Sequence, residues 1–362
     1  MRGFVGIGLS DNIEAAINEA TVGVKTADLL VLIAPFSKAA NAAEALSAKY
    51  PGVPIIGTTG LSIGKNSKEE SQITVIAFAG VTVATGIIGD TNKSPINYIK
   101  DFEQDLKSME FSPNNTVCIS FMTGNEEKTV STLNSVLAKH SIPLAGSTCY
   151  GTPLGEQASV IYNDKLCTKS CVYAFIKNNA GKVKVYKENM YEPLTEKPFY
   201  ATLVDPNTKT LFQLNDRPAF EVYSEVTGIE KDDIVASMHT NPLGRMLGDD
   251  IYIASTLSLD MNGVMFNGKI INDNDSVHIM QLGDFREINS ATKANIKENS
   301  SKISFVLSFD SIGRYKVFEE EDYVEDYINT MSSMGAYAGT ISEGQQCNSQ
   351  HMNQTLVLVV FE

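Results

Sequence analysis

Apolar and polar positions follow the same order three times along the chain. Each time, an apolar run leads into a helical pattern, then a short apolar run that breaks into Gly and hydroxyl residues, then a closing apolar run. The opening runs are 28–36, 116–122 and 302–309, the Gly-rich segments are 53–60, 142–151 and 335–344, and the closing runs are 73–79, 171–176 and 355–361. Such self-similarity indicates a repeated structural unit. Because few residues are identical between copies, unrelated α/β units are the alternative.

This pattern predicts an α/β fold with mixed sheets built from repeated strand–helix–strand–turn–strand units, in two domains. Opening runs that are apolar at almost every position are typical of strands covered on both faces. We expect a first domain at 1–230, with units at about 1–110 and 111–230, and a second domain at 231–362 that holds the third unit. Runs 73–80 and 81–88, and likewise 157–162 and 171–177, are expected to pair as antiparallel hairpins.

Composition and charge narrow the class of protein. The net charge of −14 argues against a nucleic-acid-binding surface, which would need clustered Lys and Arg, and against binding to an anionic membrane surface. No apolar run approaches the roughly 20 residues of a membrane span, and the N-terminal run is too short and too rich in Gly for a signal peptide. Five scattered cysteines are typical of a reducing compartment. We therefore expect a cytoplasmic protein without nucleic-acid or membrane partners.

Signatures of catalysis are missing from the sequence. It has no Gly-x-Ser-x-Gly elbow, Walker loop or Rossmann fingerprint, and none of its four histidines has a second His or a paired Cys at metal-ligand spacing. We expect no enzymatic activity, no metal and no cofactor. One alternative is a haem with His239 or His351 as its axial ligand, because such a bond needs only one His and an apolar pocket. A hydrolase or transferase that uses the Gly and hydroxyl segments is a third hypothesis.

Hydroxyl side chains beside Gly form the candidate ligand site, because ligands of α/β proteins collect at the carboxyl ends of strands. The hydroxyl residues are Thr58, Thr59, Ser147, Thr148 and Thr340. The alternative is that they only cap turns. Arg314 is suited to clamp a carboxylate through two parallel hydrogen bonds, with a surface salt bridge as its alternative. Glu343 is suited to an ammonium group, so this pair would fit an amino-acid zwitterion, and His351 completes the predicted site.

Several motifs carry a family resemblance. They are the segments 53–60, 142–148 and 335–344, Leu-Phe-Gln-Leu-Asn-Asp-Arg-Pro-Ala-Phe-Glu-Val-Tyr at 211–223, Asn-Pro-Leu-Gly at 241–244, Ser-Ile-Gly-Arg at 311–314, and His-Met-Asn-Gln-Thr at 351–355. With these motifs, nearly the whole chain resembles the FIST sensory module of bacteria and archaea, in both its N-terminal and its C-terminal parts. It departs from the family at Asp310 and Ser311, where a Cys is common, and at Gly339-Thr340, where a Gly-Glu pair is common.

The resemblance implies a signal-input module that binds a small molecule, with amino acids among the proposed ligands. Some relatives are proposed to bind haem and sense nitric oxide, which gives the haem alternative its function. Such modules are often joined to kinases, cyclases or chemotaxis domains. No output domain fits in this chain, so we expect a stand-alone sensor whose partner is a signalling protein such as a histidine kinase, a cyclase or a chemoreceptor. Edge strands in a repeated sheet are compatible with a homodimer.

Overall fold

A computed structural model of the chain describes residues 1–65, 72–248 and 250–362. In the first unit the strands are β1 (Arg2–Gly8), β2 (Leu29–Ala34), β3 (Ile55–Thr59), β4 (Leu61–Gly64), β5 (Ile73–Ala79) and β6 (Val81–Ile88). The helices of this unit are α1 (Ile13–Thr21), α2 (Phe36–Lys49) and α3 (Ile99–Lys107), with a 3-10 turn at Pro95–Asn97.

The second unit repeats this order. Its strands are β7 (Thr116–Met122), β8 (Leu144–Thr148), β9 (Ser159–Tyr162), β10 (Lys165–Thr168), β11 (Cys171–Asn178) and β12 (Val183–Asn189). Its helix is α4 (Glu126–Leu137), which continues as a 3-10 turn at Ala138–His140.

A connecting region follows, and then the third unit. The connecting region contains β13 (Tyr191–Pro193), β14 (Phe199–Asp205), β15 (Thr210–Leu214), β16 (Arg217–Pro218), α5 (Ala219–Thr227), a 3-10 turn at Lys231–Asp233, α6 (Ile234–Ser237), β17 (Leu243–Leu247), β18 (Asp250–Ile253), β19 (Thr256–Leu259), β20 (Met265–Asn267) and β21 (Ser276–Leu282). The third unit contains α7 (Phe285–Asn299), β22 (Phe305–Ser311), α8 (Ile312–Glu320), α9 (Val324–Ser332), β23 (Ala336–Ser342), β24 (Gln345–Cys347), β25 (Gln350–Met352) and β26 (Thr355–Phe361).

Three sheets share one strand order, which confirms the predicted mixed α/β fold of repeated units. The first sheet runs β1-β5-β2-β3-β9-β10, the second β6-β11-β7-β8-β24-β25, and the third β12-β26-β22-β23-β4. In each, the opening strand lies parallel to the Gly-rich strand and antiparallel to the closing strand. The repeated hydrophobic pattern therefore corresponds to a repeated sheet.

The units exchange strands in a cycle. Unit one lends β4 to β23 of unit three, unit two lends β9 to β3 of unit one, and unit three lends β24 to β8 of unit two. At the opposite edge, β6 of unit one pairs with β11, and β12 of unit two pairs with β26. The N-terminal strand β1 takes the equivalent edge position beside β5. Each sheet is thus completed by strands from other parts of the chain.

The two predicted hairpins are wrong, because the paired runs lie in different sheets. Strand β5 belongs to the first sheet and β6 to the second, and the same holds for β9 and β11. At the first turn, Gly80 has a φ of 77°, and the Asp28 carboxylate accepts hydrogen bonds from the N–H groups of Gly80 and Val81 at 2.7 and 3.1 Å. This turn lets the chain cross between sheets, and alternation of apolar residues does not report that crossing.

Aromatic side chains fill the space between the inner faces of the three sheets. Phe121 of the second sheet packs against Phe309 of the third, with ring centroids 5.8 Å apart. Phe78 of the first sheet packs edge-on against Phe305 of the third at 5.4 Å and against Phe361 at 5.5 Å. Helices cover the outer faces, with α1 and α2 on the first sheet, α3 and α4 on the second, and α7, α8 and α9 on the third. Burial on both faces explains the continuous apolar runs.

A fourth sheet, from the connecting region, lies outside this repeat. Its order is β18-β17-β21-β14-β15-β20-β19, with β13 paired to β21 and β16 to β15. It packs with α5 and α6 around its own apolar cluster. Among the helices of the described ranges, none is long and apolar enough to cross a membrane. The predicted domain boundary near residue 230 and the homodimer stay predictions.

The central core predicts a large cost for truncating its aromatic residues. Phe309 is fully buried between two sheets, so Phe309→Ala should lower the free energy of unfolding by about 3–5 kcal/mol. The control is Ile96→Ala, since that side chain is 70% exposed, and it should change stability by less than about 0.5 kcal/mol. Urea unfolding followed by circular dichroism measures both, and equal losses would contradict a shared core.

Candidate functional site

A cavity of about 790 Å³ lies between the fourth sheet and the second and third units. Its wall combines the loop after β7, the end of β8, the start of α8 and the turn after β23 with loops of the fourth sheet around Lys209, Ser255 and Gly268. Because β7 runs parallel to β8, and β22 to β23, the carboxyl ends of each pair meet at one edge. Ligands of α/β proteins bind at such edges. The cavity is the candidate site.

Three acidic residues, Glu126, Glu127 and Glu343, line this cavity, and burial shifts the pKa of two of them. Glu126 lies in the first turn of α4, where its carboxylate accepts a hydrogen bond from the N–H of Gly124 at 3.2 Å. Glu343 follows the end of β23. Burial raises the pKa of Glu126, and burial together with the nearby Glu126 charge raises the pKa of Glu343. The cavity therefore holds two desolvated acids whose ionised forms are both penalised.

Positive groups line the same cavity. Lys209 and Lys316 both reach its wall, and the Lys209 ammonium donates to the carbonyl of Gly268 at 3.2 Å. Helices α4 and α8 both begin at the cavity, so their N-terminal N–H groups add positive potential there. The site thus offers groups of both signs, which suits a polar ligand that itself carries both.

His351 of β25 joins this cavity to a buried lysine. The Lys269 ammonium donates to Nδ1 of His351, so Nε2 carries the ring proton and donates to Thr148 Oγ1 at 3.0 Å. Lys269 also lies 3.4 Å from the Glu127 carboxylate. Burial, and then the charges of Lys269 and Lys209, lower the pKa of His351 well below its usual range, while burial lowers the pKa of Lys269 to about 8. His351 is therefore a neutral, hydrogen-bonded ring in the cavity wall.

Among the predicted site residues, Thr148, Glu343 and His351 line the cavity together. The other hydroxyl residues, Thr58, Thr59, Ser147 and Thr340, are buried inside β3, β8 and β23 and are not part of its wall. Three of them bond to backbone: Thr58 Oγ1 donates to the carbonyl of Thr59, Thr59 Oγ1 to that of Ser159, and Thr340 Oγ1 to that of Leu61. A ligand role for these four stays a prediction.

Arg314 lies in a buried ion cluster rather than on the surface. Its Nη2 donates to Glu188 at 2.5 Å and its Nε to Asp310 at 2.8 Å, and the Tyr327 hydroxyl also donates to Asp310. The side chain is 0% exposed, so a surface salt bridge is wrong for this residue. Arg314 is not part of the cavity wall, and the structure does not bring it together with Glu343 in one pocket. Its predicted role as a carboxylate clamp stays untested.

The candidate cavity does not suit the haem alternative. His239 lies outside the cavity wall, and its Nε2 is 3.0 Å from a carboxylate oxygen of Glu320. Both ring nitrogens of His351 are engaged, and the cavity wall carries Glu126, Glu343 and lysines where a porphyrin needs apolar side chains. The residues present do not fit a haem. In the described parts of the chain, no group of three or more His, Cys, Asp or Glu side chains could hold a metal ion.

Several residues in the wall, and Lys269 behind it, were not predicted from sequence. Glu126 had a usable signal, because Gly124-Asn125-Glu126 follows the opening strand β7 as Ile312-Gly313 follows β22 in the third unit. Lys269 had none, since the fourth sheet falls outside the repeat. Gln354 lies in the motif before the last strand, and the sequence did not single it out. In the structure its φ is 52°, which is unusual for a residue other than Gly.

Comparisons with known proteins agree with this architecture. The FIST N domain model matches residues 28–217, and the FIST C domain model matches residues 219–348. The chain therefore belongs to the FIST family. FIST domains are associated with sensory signal transduction and small-ligand binding.

Other comparisons add no functional information. None of the curated proteins matches the sequence. A solved structure, phosphoribosylformylglycinamidine synthase II from Thermotoga maritima, aligns over 99% of this chain and 71% of its own, with 13% sequence identity and a TM-score of 0.19. At that TM-score the alignment supports no statement about fold or function.

The hydrogen bonds of His351 predict its titration. Its ring should be the neutral Nε2–H tautomer and should stay unprotonated at pH values where an exposed His, with a pKa of about 6.5, takes up a proton. Nitrogen-15 NMR of the four imidazoles measures this, with His351→Gln as the assignment control. Because the folded-state pKa is lowered, His351 contributes stability above about pH 6.5 that is lost as the pH falls. Titration of His351 near pH 6.5 would contradict the buried contact between His351 and Lys269.

The ion cluster predicts a structural role for Arg314. Arg314→Ala would leave the Glu188 and Asp310 carboxylates buried without their cation, so the free energy of unfolding should fall by about 3–5 kcal/mol. Arg217→Ala is the matched control, because its ion pair with Glu225 is exposed and should be worth less than about 1 kcal/mol. Chemical denaturation compares the two, and a loss no larger than that of the control would show that the cluster is not structural.

Proposed function

We propose that the protein binds a small polar molecule in the cavity between the fourth sheet and the second and third units, and signals its presence to a partner protein. The ligand would be an amino acid or a related metabolite, and the partner a histidine kinase, a cyclase or a chemoreceptor. The observation that carries this proposal is the combination of two desolvated acids, Glu126 and Glu343, with basic groups in one cavity wall. A ligand with charges of both signs would complement that wall.

The position of the cavity supports a sensory role. Glu126 and Thr148 lie in the part matched by the FIST N domain, whereas Ser311 and Glu343 lie in the part matched by the FIST C domain. A ligand that touches all four would stabilise one relative arrangement of the two parts. That change is what a signalling partner would detect. All five cysteines are unpaired, which supports a reducing, cytoplasmic location as part of this proposal.

A binding role, rather than catalysis, is part of the proposal. Thr148 and His351 resemble a nucleophile and its base, with Oγ1 and Nε2 3.0 Å apart. A base must accept the hydroxyl proton at Nε2, yet here Nε2 carries a proton because Lys269 donates to Nδ1. The group behind the imidazole is thus a lysine, where a catalytic triad has a carboxylate. The pair is better suited to hold the cavity wall than to activate Thr148.

A thermal-shift screen of the full chain tests the proposed function. The panel contains amino acids, related amines, organic acids, sugars and nucleotides. A ligand at a hundredfold its dissociation constant adds about 2.7 kcal/mol of stability, so one class should raise the melting temperature by on the order of a few degrees. No shift from any member of the panel would contradict small-molecule sensing.

A blocking variant places the ligand in this cavity. Leu257 lines the cavity and is 63% exposed, so Leu257→Trp should fill space there with little effect on the unliganded protein. It should weaken binding of the active compound by about tenfold or more, as one badly placed side chain costs over 1 kcal/mol. Leu154→Trp, at a fully exposed position outside the wall, is the matched control. Equal affinity in both variants would place the ligand elsewhere.

A further inference from the structure

Residues of the cavity wall carry hydrogen-bond acceptors that have no donor among the described residues. Within the described ranges, the Glu343 carboxylate has no hydrogen bond and no ion pair, and the charge that acts on it is another carboxylate, that of Glu126. Lys209 and Lys269 act on Glu126 instead. Glu343 is therefore the acidic group of this cavity without a cation of its own.

Two amide side chains add acceptors to the same wall. Nδ2 of Asn353 donates to the carbonyl of Glu343 at 3.1 Å, and Nε2 of Gln354 donates to the carbonyl of Met238 at 2.7 Å. A carbonyl accepts only from the nitrogen side of an amide, so these bonds fix the orientation of both amides. The oxygens that remain, Asn353 Oδ1 and Gln354 Oε1, are buried and have no partner among the described residues.

Such acceptors are costly to bury. An unsatisfied buried acceptor such as Asn353 Oδ1 or Gln354 Oε1 costs about 1–3 kcal/mol. Gln354 is only 7% exposed, and its backbone has a φ of 52°, so both its side chain and its backbone are constrained. Costs of this kind persist in native proteins where a ligand or another function requires them.

We propose that Glu343, with Asn353 and Gln354, forms the receptor for a cationic head group rich in N–H donors, either a primary ammonium or a guanidinium. An ammonium has three N–H donors and a guanidinium five, so either supplies donors to several acceptors and neutralises the carboxylate at once. A water molecule would satisfy one or two acceptors but would leave the charge of Glu343 uncompensated. The inference rests on the proposed function, because it assigns one end of the ligand in that same cavity.

Four small probes of equal chain length test the head group on the full-length protein. They are n-butylammonium, n-butylguanidinium, the uncharged n-butylurea and the anionic butyrate, each titrated by ligand-observed NMR up to high millimolar concentration. At least one cation should bind about tenfold or more tightly than n-butylurea, because charge-assisted hydrogen bonds are roughly twice as strong as neutral ones.

Glu343→Gln keeps the shape of the side chain and removes its charge, so it should abolish the preference for the cation. Glu44→Gln, at an exposed position on α2, makes the same change in net charge away from the cavity and should keep the preference. The proposal is overturned if n-butylurea or butyrate binds as tightly as the cations, if no probe binds, or if Glu343→Gln retains the preference. These outcomes differ from failure of the proposed function, in which no compound of the wider screen stabilises the protein.

Discussion

Each of the three sheets is incomplete without strands from another unit, and the rest of the molecule depends on this constraint. Strand β23 pairs with β4, and in this pair Thr340 contacts Leu61, which lies 279 residues earlier in the chain. Strand β8 pairs with β24, from near the end of the chain. The inner faces of all three sheets also share one aromatic core around Phe121 and Phe309. The two FIST domains are therefore interleaved, and neither domain's sheets are complete on its own.

Interleaving also explains why a polar cavity can be held open where the units and the fourth sheet meet. The turn that carries Glu343 lies between β23, which is paired with strands from two units, and β24, which is paired with β8. The backbone on both sides of Glu343 is fixed in a sheet, which holds this residue at the cavity. Glu126 is half-buried, and Glu343, whose side chain is exposed overall, is partly desolvated and lies within reach of the Glu126 charge, which raises its pKa. The cost is tolerable because the surrounding core is large.

A structural feature could be predicted from the sequence only where it produces a recognisable pattern of residues. The opening and closing strands were predicted to within three residues at each end, because burial on both faces leaves an unbroken apolar run. The strand exchange was not, since periodicity identifies a strand but not its partner. Thr148 and Glu343, which line the cavity, were singled out because they lie at or just after the end of a predicted strand, and His351 because it precedes the last strand, although the structure places it in β25. Lys269 could not be found, because its role comes only from the position of the fourth sheet above the cavity.

A single segment of the third unit lines the cavity and is bonded both to the second sheet and to the region of the fourth sheet. Between β23 and β26 it carries Glu343 and Gln354, and its strand β24 extends the second sheet. Gln354 also donates to the carbonyl of Met238, which follows α6, and to the hydroxyl of Ser255, in the connection between β18 and β19 of the fourth sheet. A ligand bound to Glu343 would add contacts to a segment already bonded to two sheets, and would stiffen the joint between them. Binding energy would then appear as a preferred arrangement of the two domains, which a partner can recognise without touching the ligand.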